Sequence, residues 1–139
     1  MSRIEFTKHQ KKYLNPNAMK WVQMVYNNDF LQAKAALQEG HSYCCLGLGA
    51  LCYEMNTGDV LPVDALGSYE GGLLNGEFVL VKQWLGLIDE AGMPRGNNND
   101  HLCPLSSLSS LNDEGMSFLG IAKVMLAHPE AYFIPVDRQ

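Results

Sequence analysis

The run from Tyr43 to Tyr53, Y-C-C-L-G-L-G-A-L-C-Y, carries no charged side chain and offers no polar face. With Ser42 as its cap it reads as a helix, and a helix that is apolar all round is stable only when other elements surround it. Gly47 and Gly49 each lower helix propensity by ~1 kcal/mol relative to Ala, but their missing side chains let a neighbour approach closely. The segment therefore predicts a central core helix around which the rest of the chain must wrap.

Enough chain is present for one such wrapping and little more. At 139 residues and 15.4 kDa the sequence fits a single domain over 1–139. Its 47% hydrophobic and 18% charged residues match an ordinary globular balance and argue against wholesale disorder. No apolar run approaches the ~18 residues that would cross a bilayer, and M-S-R-I-E-F-T-K-H-Q-K-K-Y lacks the core of a signal peptide. The expectation is a cytoplasmic protein that does not engage membranes. A net charge of −5 and a pI near 5.2 leave no basic surface for general nucleic-acid binding. Basic residues gather early, at Lys8, Lys11, Lys12 and Lys20, and residues 1–14 read as a flexible basic arm.

The wrapping elements follow from periodicity and caps. Asn15-Pro16 starts a helix whose Ala18, Trp21, Val22 and Val25 form one apolar stripe, ended by Asn27-Asn28-Asp29. Asp29 with Gln32 resembles a capping box for a second, short helix burying Phe30, Ala33 and Leu37 and closed by Gly40, with a hairpin strand as the alternative. Residues 56–76 read as a Gly-rich loop with at most a short strand near Val60–Val63. A helix over 77–88 places Phe78, Val81, Leu85 and Ile88 on one face with Trp84 beside them. Ala91–Asp100 is the most loop-like stretch. Leu105, Leu108 and Leu111 predict a short helix, and Ser117 caps a last one with Phe118, Ile121, Ala122 and Met125 inward, stopped by Pro129. The tail A-Y-F-I-P-V reads as an edge strand, because Pro135 bars a central one. The fold class is mainly α, with about five helices and room for a small edge hairpin that would make it α+β.

The cysteines are the first candidate chemistry. Cys44, Cys45, Cys52 and Cys103 do not read as a disulfide framework, since three fall within nine residues of a chain able to build a core without staples. Cys44 and Cys45 in the first turn of a helix would have their thiolates favoured by exposed N–H groups. A nucleophile also needs a base. His41 approaches awkwardly and His128 is a further candidate, while His101, in a polar loop, is the better partner. The competing reading makes both thiols small core-filling residues. Zinc on Cys44 or Cys45, Cys52 and His101-x-Cys103 is disfavoured, because Cys45 and Cys52 on a regular helix lie ~10 Å apart. No metal or other cofactor is implied.

Residues 111–125, L-N-D-E-G-M-S-F-L-G-I-A-K-V-M, resemble the first half of a helix-turn-helix. The second half fails, because Pro129 falls where the turn and recognition helix should be and no basic helix follows. A DNA-binding regulator is thus a third reading only. Asn112 and Asp113, with Glu114, form a polar cluster that either holds a ligand or serves as the turn before the last helix.

Tyr43-Cys44-Cys45-Leu46-Gly47 with Leu51-Cys52, the Lys20-Trp21 helix, Trp84-Leu85-Gly86-Leu87, and Leu111-Asn112-Asp113 through Ile121-Ala122 resemble a group of small phage and prophage proteins. That group carries an aromatic-Cys-Cys-Leu-Gly motif, and the likeness spans residues 20–126. Here Gly47-Leu48-Gly49 lengthens the stretch between the cysteine pair and Leu51-Cys52. The resemblance implies a phage-related accessory role and no known activity. The leading expectation is a binding protein directed at a host protein or a small nucleotide-like ligand, countering host defence, with self-association compatible. Tyr69 and Trp84 would be aromatic contacts on a rim built from loops 65–76 and 91–103, joined by Asn112 and Asp113. The alternative is a cysteine-dependent hydrolase or transferase using Cys44 or Cys45 with His101.

Overall fold

In a computed structural model, the described residues are 3–33, 38–39, 42–59, 76–89, 91–95 and 105–139, with backbone alone at 38–39 and 76–78. The architecture is mainly helical. Helices α1 (Lys8–Lys11) and α2 (Pro16–Asn27) lead into strands β1 (Leu31–Gln32), β2 (Gln38–Glu39) and β3 (Ser42–Tyr43). Helices α3 (Cys45–Thr57), α4 (Gly76–Leu85), α5 (Leu108–Asp113), α6 (Phe118–Ala127) and α7 (Pro129–Tyr132) follow, and a 3₁₀ turn covers Val136–Arg138. The expected strand near Val60–Val63 and most of the two expected loops lie outside the described residues.

The central helix is where its sequence requires it to be. All residues from Cys45 to Ala50 are buried, with α2, α4 and α5 packed around them. A Cβ added to Gly49 would sit 3.0 Å from Leu85 Cδ1 and 3.4 Å from Trp21 Nε1, so this glycine is the point at which α2 and α4 close on α3. Trp21, fully buried, donates its indole N–H to the Cys45 carbonyl at 2.9 Å. The start of the helix differs from expectation. Ser42 pairs within β3, and Cys44 is the cap, its sulfur accepting from Gly47 N at 3.3 Å.

Helices α2 and α6 match their sequence reading closely. Asn15 accepts from Ala18 N at 2.7 Å and Pro16 opens α2, whose Ala18, Trp21, Val22 and Val25 are all buried. Ser117 accepts from Gly120 N at 3.1 Å, and Phe118, Ile121, Ala122 and Met125 have no exposed surface. The two helices pack on one another.

The second helix expected after Asp29 is absent at Leu31–Gln32, which is strand. Leu31 and Gln32 pair in parallel with Ser42 and Tyr43, while Gln38 and Glu39 pair with the same β3 residues antiparallel. The Gln32 side chain does not reach back to a cap. It donates instead to Asn112 Oδ1 at 2.9 Å and Met116 O at 2.7 Å. A capping box contributes only about 1 kcal/mol, and these pairings outweigh it. The antiparallel β2–β3 pairing agrees with the hairpin alternative. Helix α4 stops at Leu85 rather than Ile88, because Gly86 turns left-handed (φ 75°). The predicted edge strand of the tail reduces to one bridge, Leu87 with Phe133, next to the short helix α7.

Residues 3–14, expected as a flexible arm, are fastened down. A capping box between Thr7 and Gln10 starts α1, and Gln10 Nε2 donates to Leu126 O at 2.9 Å. Ile4 N donates to Gln23 Oε1 at 2.8 Å, and Leu14 is buried. A stretch with Ile4, Phe6, Tyr13 and Leu14 among its lysines has an apolar side to bury, and it does so against the core.

The Gly49 contact sets the first expectation. Gly49→Leu should destabilise the fold by roughly 1–3 kcal/mol or more through overpacking. Gly49→Ala should be close to neutral, its gain in helix propensity offset by displacement of Leu85. Urea denaturation distinguishes the two.

Candidate functional site

The amino end of α3 collects most of the side chains singled out from sequence. Cys44 is 6% exposed and Cys45 fully buried. Asn112, at the end of α5, is also fully buried, and its amide is shared three ways. Its Oδ1 accepts from Cys45 N at 3.1 Å and from Gln32 Nε2 at 2.9 Å, and its Nδ2 donates to Ala33 O at 2.6 Å. The Cys45 thiol points at Leu108 O, 3.6 Å away. Asn112 is thus a joint between β1, α3 and α5, not a rim residue awaiting a ligand. The neighbouring Asp113 is half-buried.

The thiols behave differently from the first-turn expectation. Burial pushes Cys44 up from 9.0 to about 11, outweighing the lowering by the Gly47 and Leu46 N–H groups, and the charge of Asp113 adds to the rise. Cys45 is raised still more firmly, by burial first and then by its neighbour Cys44. Cys52 also rises to about 11 through burial, although Lys20 and the Asn56 amide lower it in part. The helix N-terminus favours a thiolate, but here the loss of hydration on burial outweighs it. Cys44, Cys45 and Cys52 are all unpaired thiols.

His101 and Cys103 lie outside the described residues, as do Tyr69 and His41. His128 faces Glu130, its Nδ1 lying 3.8 Å from the carboxylate. Trp84 is half-buried, edge-on to Tyr53 at 5.5 Å, and its carbonyl accepts from both Asn15 and Asn17 side chains at 3.2 Å. Among the described residues no group of three or more His, Cys, Asp or Glu side chains is placed to hold a metal ion. No helix among them is long and apolar enough to cross a membrane.

An open cleft of about 880 Å³ lies elsewhere, where the end of α1, the turn at 91–95, α7 and the C-terminal 3₁₀ turn meet. Lys12, Tyr13, Arg95, Glu130, Asp137 and Arg138 line it, and among the described residues no cysteine does. Backbone hydrogen bonds hold its walls: Val136 N to Lys12 O and Arg95 N to Ala131 O, both 2.7 Å. Glu130 is bridged across to α1 by His9 Nε2 at 2.8 Å. Nothing in the sequence reading brought these residues together. Lys12 belonged to the noted basic cluster, but Arg95 and Arg138 carry no local motif, and only the fold joins positions 12, 95 and 138. No family model, curated protein or solved structure matches the chain.

Three outcomes follow from the buried centre. Replacing Asn112 by Leu strands the Cys45 N–H and the Ala33 carbonyl, and should cost roughly 1–3 kcal/mol for each in thermal or urea unfolding. The second concerns pH. The folded chain keeps the Cys44 and Cys52 protons up to about 11, whereas an unfolded chain releases them near 9.0. Their contribution to stability is therefore complete below pH 9 and is lost as the pH rises from 9 towards 11. Unfolding free energy measured across that window should fall, and less steeply in Cys52→Ala. Iodoacetamide at pH 8 should leave Cys44, Cys45 and Cys52 unlabelled until denaturant is added.

Proposed function

We propose that this chain acts by stoichiometric binding rather than by turning over a substrate, as an accessory protein of the phage type its sequence resembles. One observation carries the reading. The side chains that offered nucleophilic chemistry are sealed in the core with their thiols held protonated, while the open concavity is lined by charged and aromatic groups suited to recognition. Pre-formed concave sites with a few convergent polar groups are the usual seats for small ligands. A host protein or a small nucleotide-like molecule is the expected target, and interference with host defence the expected consequence.

The other two readings draw no support from the geometry. A cysteine hydrolase needs a thiolate within reach of substrate, and Cys45 has no exposed surface. A helix-turn-helix needs a recognition helix after α6, where α7 has four residues and begins with Pro129.

Immobilised protein exposed to bacterial lysate, with retained proteins and small molecules identified by mass spectrometry, tests the proposal. A near-stoichiometric partner should be retained, lost in the double variant Lys12→Glu/Arg138→Glu and kept in Cys44→Ser, whose hydroxyl preserves the helix cap. Consumption of a lysate component that disappears in Cys44→Ser would overturn it.

A further inference from the structure

Resting on the binding reading above, we propose that the cleft between α1 and the C-terminal turn takes a small organic phosphate, its anionic end on Lys12, Arg95 and Arg138 and its ring against Tyr13. Charge is the first argument. Among the described lining residues, three cations against two carboxylates give a charge of +1 on a chain whose net charge is −5. A locally cationic cleft on a chain that is acidic overall favours a compact anion over a long polyanion.

Preorganisation is the second. The Arg95 guanidinium is held by two carbonyls, its Nε donating to Glu130 O at 3.3 Å and its Nη2 to Phe133 O at 3.4 Å. A planar guanidinium fixed in this way suits the oxygen geometry of phosphate better than a mobile ammonium does, and little freedom is lost on binding. Neither Lys12 nor Arg138 has an ion pair among the described residues, so neither charge is cancelled beforehand.

Size and the remaining side chains define the rest of the ligand. A volume of about 880 Å³ is far larger than a phosphate needs and falls within the usual range for small-molecule sites. Tyr13 is half-buried and held edge-on by the His9 ring at 5.5 Å, which fixes an aromatic wall for a flat ring to pack on. Glu130 and Asp137 are acceptors for hydroxyl or amino groups on that body. One phosphate, a flat ring and several hydrogen-bond donors together describe the chemistry of a nucleoside monophosphate.

Isothermal titration of the full chain with each of the four nucleoside 5′-monophosphates, adenosine, inorganic phosphate and a short single-stranded oligonucleotide tests this. At least one monophosphate should saturate a single site, at least tenfold more tightly than phosphate, adenosine or the oligonucleotide. Lys12→Glu/Arg138→Glu should weaken it tenfold or more with an unchanged melting temperature, and Arg95→Lys should weaken it less. The inference is overturned if no monophosphate saturates the protein at millimolar concentration, if the oligonucleotide binds more tightly, or if the double charge reversal has no effect. Should the nucleotides fail while the double variant still loses a partner retained from lysate, this inference falls and the binding reading stands.

Discussion

The buried amino terminus of α3 is the constraint on which the rest of the structure depends. A helix leaves its first N–H groups without partners inside itself, and in water these are solvated at no cost. Here the first turn lies in the core, so each polar group needs a partner from the protein. Asn112 supplies one to Cys45 N, the Cys44 sulfur supplies another to Gly47 N, and Trp21 takes up the Cys45 carbonyl. Among the described residues no buried side-chain nitrogen or oxygen is left without a partner. Because Asn112 also bonds Ala33 O and Gln32, the requirement at α3 fixes where β1 ends and where α5 must stand.

The same burial decides the character of the thiols. A helix N-terminus stabilises a nearby anion by about 0.3–1 kcal/mol, up to ~2 in favourable partly buried geometry. A rise in Cys44 from 9.0 to about 11 corresponds to roughly 3 kcal/mol against the thiolate, with the backbone N–H groups already counted in its favour. Desolvation wins. Sulfur then serves as a small, greasy acceptor that caps a helix without bringing a strongly hydrated group into the core. A serine at position 44 would cap more strongly but carry a hydroxyl that itself requires satisfaction.

Much of the fold was legible in the sequence where a pattern was strong over ten or more residues. The uniform apolarity of 43–53, the Asn15-Pro16 start and the Ser117 cap each named an element that the structure contains. Legibility failed where the deciding interaction is remote. Gln32 and Leu31 are strand because of partners at 42–43, 112 and 116, none of which a local capping pattern can register. The α3 cap moved from Ser42 to Cys44 because Ser42 was needed for pairing. Of the site residues, Asn112 reads from sequence only as part of a polar cluster that holds a ligand or makes a turn, since a lone asparagine near acidic neighbours carries no mark of burial. Its role depends on facing the buried amino terminus of α3, from another part of the chain.

The cleft shows the same limit from the other direction. It exists because α1 is docked and not trailing, and that docking rests on Leu14, Gln10 and the His9–Glu130 contact. Lys12 reaches the C-terminal turn through its own backbone carbonyl, so the point from which its side chain leaves is set by main-chain pairing with Val136 and not by any preference of lysine. The Arg95 side chain is oriented by carbonyls within α7 and just after it. The concavity is therefore as much a product of the chain ends meeting over the core as of the residues that line it, and loss of the α1 docking would dissolve it without touching a single lining charge.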